Sequence, residues 1–421
     1  MLAGTFTLRF STGLTGAMYS LYLASLARHG GTEVGAEVVG LFAALFFVSE
    51  LALSPIFGIL SDRLGHHRVM LYGPAFGAVA AILTGLTVSL PILGATRLLE
   101  GASTAASVPS ILGFIALATA GNEVLRGKAA ARFEGATLAG LGVGFIVAPK
   151  LFEAIGPAAF FLNAGVYGVS FLIYRLGVAD PEGEREAVSS AHVGFRRYAH
   201  LVRSAHVLLL APTWIAVNAS IGLWFSQSLF QFSKANPEFP EQLLMRGFDA
   251  NQITIAAVLI AIVFGAGLLY WGNRFRNLRR TTIILYGIVG GGVLVAAGLL
   301  VNHADGLPVI VPIAGGLLAG VGLFVLAGAT PAALGLLADI SERFPADRGA
   351  IMGLYSVFLG IGQITGSLIG GFVAAWHGID GMLLATLGLL VVALLPLARL
   401  RAQEHEIGGA GSATLIGEPG G

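Results

Sequence analysis

Apolar runs dominate this chain, and they recur with interruptions short enough to read as turns. Bounded by charges and turn residues, they fall near 5–27, 36–57, 69–89, 92–118, 133–152, 157–176, 207–230, 252–271, 281–301, 308–338, 350–375 and 381–398. A hydrocarbon core about 30 Å thick needs roughly 20 apolar residues per helix, which each of these runs supplies. The pattern therefore predicts an all-α integral membrane protein with twelve spanning helices. The segment at 308–338 is long for one crossing, so its last turns are expected in the aqueous phase. One long polar stretch, 178–205, turns from acidic (Asp180, Glu182, Glu184, Glu186) to basic (Arg196, Arg197, Arg203). It divides the chain into a bundle at 1–177, a cytoplasmic linker at 178–205, a second bundle at 206–398 and a Gly-rich disordered tail at 399–421.

Composition agrees with the pattern. Of 421 residues only 11% are charged and 56% are hydrophobic, against about 25% charged in a soluble chain. Sixty glycines fit helices that pack closely in lipid. Zero cysteines exclude disulfides and thiolate chemistry. A formal net charge of +1 gives no footprint for nucleic acid. No phosphate loop, Ser/His/Asp set or metal-ligand cluster is legible, so an enzyme, a cofactor and a bound metal are not expected.

Lys and Arg set the expected orientation. With both termini in the cytoplasm, eighteen basic residues lie on the inner side and four on the outer (Arg28, Lys150, Lys234, Arg246), with Arg9 and Arg97 inside helices. This predicts a multi-pass protein of the plasma (inner) membrane, acting as a monomer.

The two halves repeat. A shift of 222 residues lays Pro109, Leu112 and Gly113 on Pro331, Leu334 and Gly335, Arg126-Gly127 on Arg348-Gly349, and Gly140, Gly144 and Gly156 on Gly362, Gly366 and Gly378. Six helices repeated in parallel about the membrane normal is an arrangement that transporters use, with a site between the halves.

The stretch Gly58-Ile-Leu-Ser-Asp62-Arg63-Leu-Gly65-His66-His67-Arg68 resembles the signature loop of the major facilitator superfamily. The resemblance implies a twelve-helix fold in two pseudo-symmetric six-helix bundles and transport by alternating access. It assigns Gly58, Asp62, Arg63, Gly65 and Arg68 to a conformational gating loop, with Asp62 docking on the start of helix 11. Two histidines stand where the family carries a basic pair, which is expected to make the loop sensitive to pH. Arg97-Leu-Leu-Glu100-Gly101 is similar to a family element associated with proton coupling, with Glu in the usual Gln position. Gly140, Gly142 and Gly144 resemble the glycine-rich antiporter element, although Phe145 replaces its proline.

Ionisable groups in mid-membrane usually have a partner and a function. Arg97, Glu100, Thr104 and Ser107 share one face of a helix, and Arg97 with Glu100 is expected to form the proton-coupling pair, with Glu50 either a further proton site or a partner for a residue on helix 11. Thr15, Tyr19 and Tyr22, together with Trp224 and Gln227, form stripes on the first helix of each half and complete the expected substrate contacts with Arg97, Thr104 and Ser107. The matching face of helix 10 (Ala319, Gly322, Leu326, Ala329) is small and apolar. These features point to proton-coupled export of a small amphiphilic organic compound. The alternatives are a symporter or uniporter taking up a polar or anionic nutrient, and a non-transporting scaffold or sensor on the same fold.

Overall fold

The computed structural model describes residues 1–119, 121–178, 205–276, 278–342 and 348–409, and the proposed linker and tail lie largely outside them. Twelve helical segments follow from the sequence: α1 (Leu2–Ser25), α2 (Ala36–Leu64), α3 (His66–Leu86), α4 (Leu90–Ala118), α5 (Glu123–Ile155), α6 (Ala158–Gly177), α7 (Ala205–Ser233), α8 (Ala250–Gly272) and α9 (Arg280–Asn302). The tenth, α10, comes in two pieces, Ile310–Leu326 and Ala329–Glu342. The break at Ala327–Gly328 replaces the single long helix expected there, and the face of Gly328 lies against the Trp271 ring. The last helix, Arg348–Gly409, loses helical torsions at His377 and Gly378 and so makes α11 (348–376) and α12 (379–409).

Nine helices among the described residues are long and apolar enough to cross a bilayer, and one of these, Ser356–Ala402, contains the α11–α12 break. Their outward faces carry large apolar side chains that water would not tolerate in such number, among them Leu176 at 80% exposure and Leu269 at 75%.

The repeat is visible in the packing. Within the first half α1 packs on α5 and α6, α2 on α4, and α3 on α4 and α6; in the second, α7 packs on α11, and α9 on α10 and α12. Individual contacts repeat as well. Gly140 of α5 meets the backbone of α1 at Phe6 and Phe10, and Gly362 of α11 meets α7 at Ile215 and Ala219. Gly144 and Gly366 make the next crossing of each pair, on Phe10 and on Ala219. Gly156 and Gly378 both turn the chain with positive φ, 55° and 58°, a conformation open chiefly to glycine. Where helix backbones touch in this way a Cβ has no room, which accounts for two of the glycine pairs that the shift aligned, Gly140 with Gly362 and Gly144 with Gly366.

The halves meet along α2–α11, α5–α8 and α1–α7. They are drawn together at the end that carries the turns around residues 26–35 and 234–249. There Gly40 of α2 lies against Ser367 and Gly371 of α11, and the Phe145 ring of α5 packs tilted on Phe225 of α7 with centroids 5.3 Å apart.

Candidate functional site

Helix α4 places the charged stripe. Gly101 lets the α2 backbone at Phe46 and Glu50 come into contact with α4, and Ser49 Oγ donates to the Leu98 carbonyl at 2.6 Å. That crossing brings Phe46 over the Arg97 guanidinium, 5.8 Å from its centroid. On the other side the Tyr19 ring of α1 covers the same guanidinium at 4.2 Å, held there by its own hydroxyl, which donates to the Leu93 carbonyl at 2.8 Å. Arg97 and Glu100 form an ion pair at one turn's spacing, and each is no more than 5% exposed. A cation over an aromatic face gains about 0.5–2 kcal/mol, the more so when dry. Glu100 Oε1, Arg97 Nε and Thr104 Oγ1 are buried without a hydrogen-bond partner. The pair therefore keeps unused hydrogen-bonding capacity in a dry setting, where an incoming proton or polar group is strongly felt.

The other expected contacts are distributed differently. Ser107 is turned toward α3, where it lies against Gly73, and its neighbour Ser103 donates to the Gly73 carbonyl at 2.6 Å. Thr15 accepts from Asn163 of α6 at 2.6 Å. Trp224 donates to Thr386 of α12 at 2.9 Å, so each joins the first helix of its half to the last. Tyr22 donates to the Thr87 carbonyl at 2.8 Å and sits among His29, Phe152 and Phe160. Gln227 donates to the Ala36 carbonyl across the two halves at 3.0 Å. Glu50 of α2 is partly exposed, and Arg9 lies within its electrostatic reach.

The signature stretch is more helical than the expected loop. α2 runs to Leu64 and α3 begins at His66, leaving Gly65 alone as the hinge, with φ of 97°. Asp62 and its neighbours Gly58, Arg63 and Arg68 therefore lie on or beside helix ends. Asp62 is 67% exposed with His66 Nε2 3.9 Å away, while the residues just before α11 lie outside those described. His66 is buried on Ser61 (Nδ1 to Oγ 3.1 Å) beneath Gly113, and His67 contacts the Tyr174 carbonyl at 2.9 Å. Trp271, near the end of α8, is 9% exposed and donates to the Phe324 carbonyl at 3.0 Å.

Two residues of α6 escaped the sequence reading. Asn163 is fully buried and donates to both the Ser11 carbonyl and Thr15. Tyr167, also buried, lies against Gly77 and within electrostatic reach of both Arg9 and Arg97. Each is a polar group in the middle of an apolar run, the same signal that marked α4.

The described residues form two packed halves, one of them with a charged pair buried inside it. The Major Facilitator Superfamily pattern matches residues 1–324 and again 223–415. The chain belongs to the major facilitator superfamily. It is 26% identical over 349 residues to multidrug resistance protein 1 of Bacillus subtilis (strain 168), covering 81% of this chain and 82% of that protein. It is 23% identical over 381 residues to the quinolone resistance protein NorA of Staphylococcus aureus (strain MSSA476), covering 88% of each. Among solved structures the nucleoside transporter NupG superposes with a TM-score of 0.68 at 14% identity, over 95% of this chain and 98% of NupG. A peptide transporter POT variant gives 0.67 at 14%, over 97% of this chain and 94% of that one. Identities this low show the fold alone. As a superfamily member, this chain is a multi-pass membrane transporter of small molecules.

Proposed function

We propose that this transporter exports small amphiphilic organic compounds in exchange for protons, by alternating access between its two bundles. The buried Arg97–Glu100 pair carries the proposal. Protonation of Glu100 removes one partner and frees the guanidinium. Truncating or neutralising one side of a buried pair is typically worth about 3–5 kcal/mol, enough to shift a balanced two-state carrier by roughly a hundred- to a few thousandfold. The relatives' names speak of multidrug and quinolone resistance, which supports an apolar, weakly specific cargo. The second bundle carries no charged counterpart of the pair, because the positions equivalent to Arg97 and Glu100 are Ala319 and Gly322, and Gly322 instead seats α9. Glu50, near Arg9, is the second proton site in this scheme, and Tyr19 and Thr104 contact the substrate. The stretch 178–205 links the bundles, both termini face the cytoplasm of the plasma membrane, and the monomer is the working unit.

The deciding experiment follows internal pH in proteoliposomes while a quinolone is added, with Glu100→Gln beside the wild type. Drug-driven proton movement in the wild type, lost in the variant, is the expected result. Undiminished coupling in Glu100→Gln removes Glu100 from the mechanism. Transport without proton movement reassigns the protein as a uniporter, where Arg97 would serve an anionic cargo.

A further inference from the structure

We infer that Glu33, Lys234, Gln227 and the Ala36 carbonyl form a latch that holds the halves shut at one end, fixed to the second bundle by a strap at 234–249. The inference rests on the alternating-access reading above. Lys234 Nζ lies 2.8 Å from Glu33 Oε1, joining the turn before α2 to the turn after α7. Just inside it, Gln227, fully buried, donates to the Ala36 carbonyl in the first turn of α2. One turn further, Gly40 and Gly371 bring the α2 and α11 backbones into contact. Among the described residues these are the side-chain bonds that cross between the halves, and both sit at this end.

The strap is anchored on one side only. Its ends are tied to each other and to α7, with Asn236 N donating to the Met245 carbonyl at 2.9 Å and Phe248 N to the Phe232 carbonyl at 2.7 Å. Gln242, 1% exposed, accepts from the amides of Ile379 and Asp380 at the start of α12 and donates to the His377 carbonyl. Asn302 at the end of α9 bonds Gln242, Asp380 and the Leu244 amide, and Arg246 pairs with Asp305. At least seven bonds thus tie the strap into the second bundle, against one exposed ion pair to the first. Separation of the halves breaks the connection at Glu33–Lys234 and Gln227–Ala36 and leaves the strap in place.

The chain has no cysteine, so Arg28→Cys with Glu238→Cys, both exposed on facing turns, takes a clean pair of spin labels for distance measurement by pulsed electron resonance. Glu241→Cys with Leu307→Cys, both exposed and outside the anchoring bonds, reports on the anchor. Lys234→Glu is expected to enlarge the long-distance population of the first pair by about two- to fivefold, the range for an exposed ion pair. Glu33→Lys with Lys234→Glu is expected to restore the original distribution, and molar salt to act like Lys234→Glu. The anchor pair should keep one distance throughout. Gly40→Ala, which wedges α2 from α11, is the control for opening itself. If it lengthens the first distance while Lys234→Glu does not, or if the charge swap fails to restore, the latch is wrong and alternating access stands. If neither lengthens it, both fall. A moving anchor pair overturns the strap.

Discussion

At the scale of single residues, the chemistry concentrates on a guanidinium sandwiched between Tyr19 and Phe46 and neutralised by Glu100. Removing one charge strands the other in a dry bundle, so Glu100→Gln should lower thermal stability in detergent as well as abolish coupling. Restoring balance with Arg97→Gln in the same chain should recover part of the lost stability, and none of the coupling. The stability difference between single and double variants is expected to be about 1–3 kcal/mol, read by thermal unfolding. A double variant no more stable than Glu100→Gln would mean that the pair contributes nothing as a pair. That Arg97 and Glu100 would meet was legible in their spacing, since residues three apart share a helix face. The aromatic cover was not, because Tyr19 and Phe46 come from other helices.

At the scale of helices, glycine decides which pairs touch. Gly144 faces the α1 backbone at Phe10 and Leu14, while Gly142, two residues away and so on the far side of the helix, has open space around it. Gly144→Ala should therefore destabilise by about 1–3 kcal/mol, whereas Gly142→Ala should be neutral or mildly stabilising through its higher helix propensity. Thermal unfolding of the two variants side by side checks this, and equal effects would refute the assigned crossing. The sequence marked all three positions as one glycine-rich element; only the helix phase separates a crossing glycine from a spare one. Hydroxyl and amide stripes divide in the same way. Thr15 with Asn163 and Trp224 with Thr386 each clamp a first helix to a last helix, a bond that no single-helix periodicity contains.

At the scale of the whole molecule, the polar links between the halves among the described residues lie at one end, and their pH response can be stated. Lys234 beside Glu33 holds that carboxyl below the usual carboxylate range. The pair's contribution to the closed arrangement is therefore fully present above Glu33's ordinary value, about 4.3, and is lost as pH falls through the depressed one. Spin-label distances across this end should be constant from about pH 5 to 8 and lengthen only below about pH 4. Glu37, in the first turn of α2, is the neighbouring carboxyl on that side, so Glu37→Gln should leave the profile in place. A transition near neutrality would assign the closure to another group.

The sequence by itself determined what a bilayer imposes everywhere along the chain. Apolar runs long enough to span, the family's signature stretch and a shift of 222 residues between halves fixed the architecture, because each is a local or strictly periodic property. Burial of a charged pair on α4 was likewise written in its spacing. Tertiary structure decided which polar residues face a neighbour and which face the space between the bundles. It turned Ser107 toward α3, gave Tyr22 to an aromatic cluster, and placed Gln227 in a latch. The reason is physical: a helix repeats its faces every 3.6 residues, but what each face meets depends on crossings set by glycines far away in the chain.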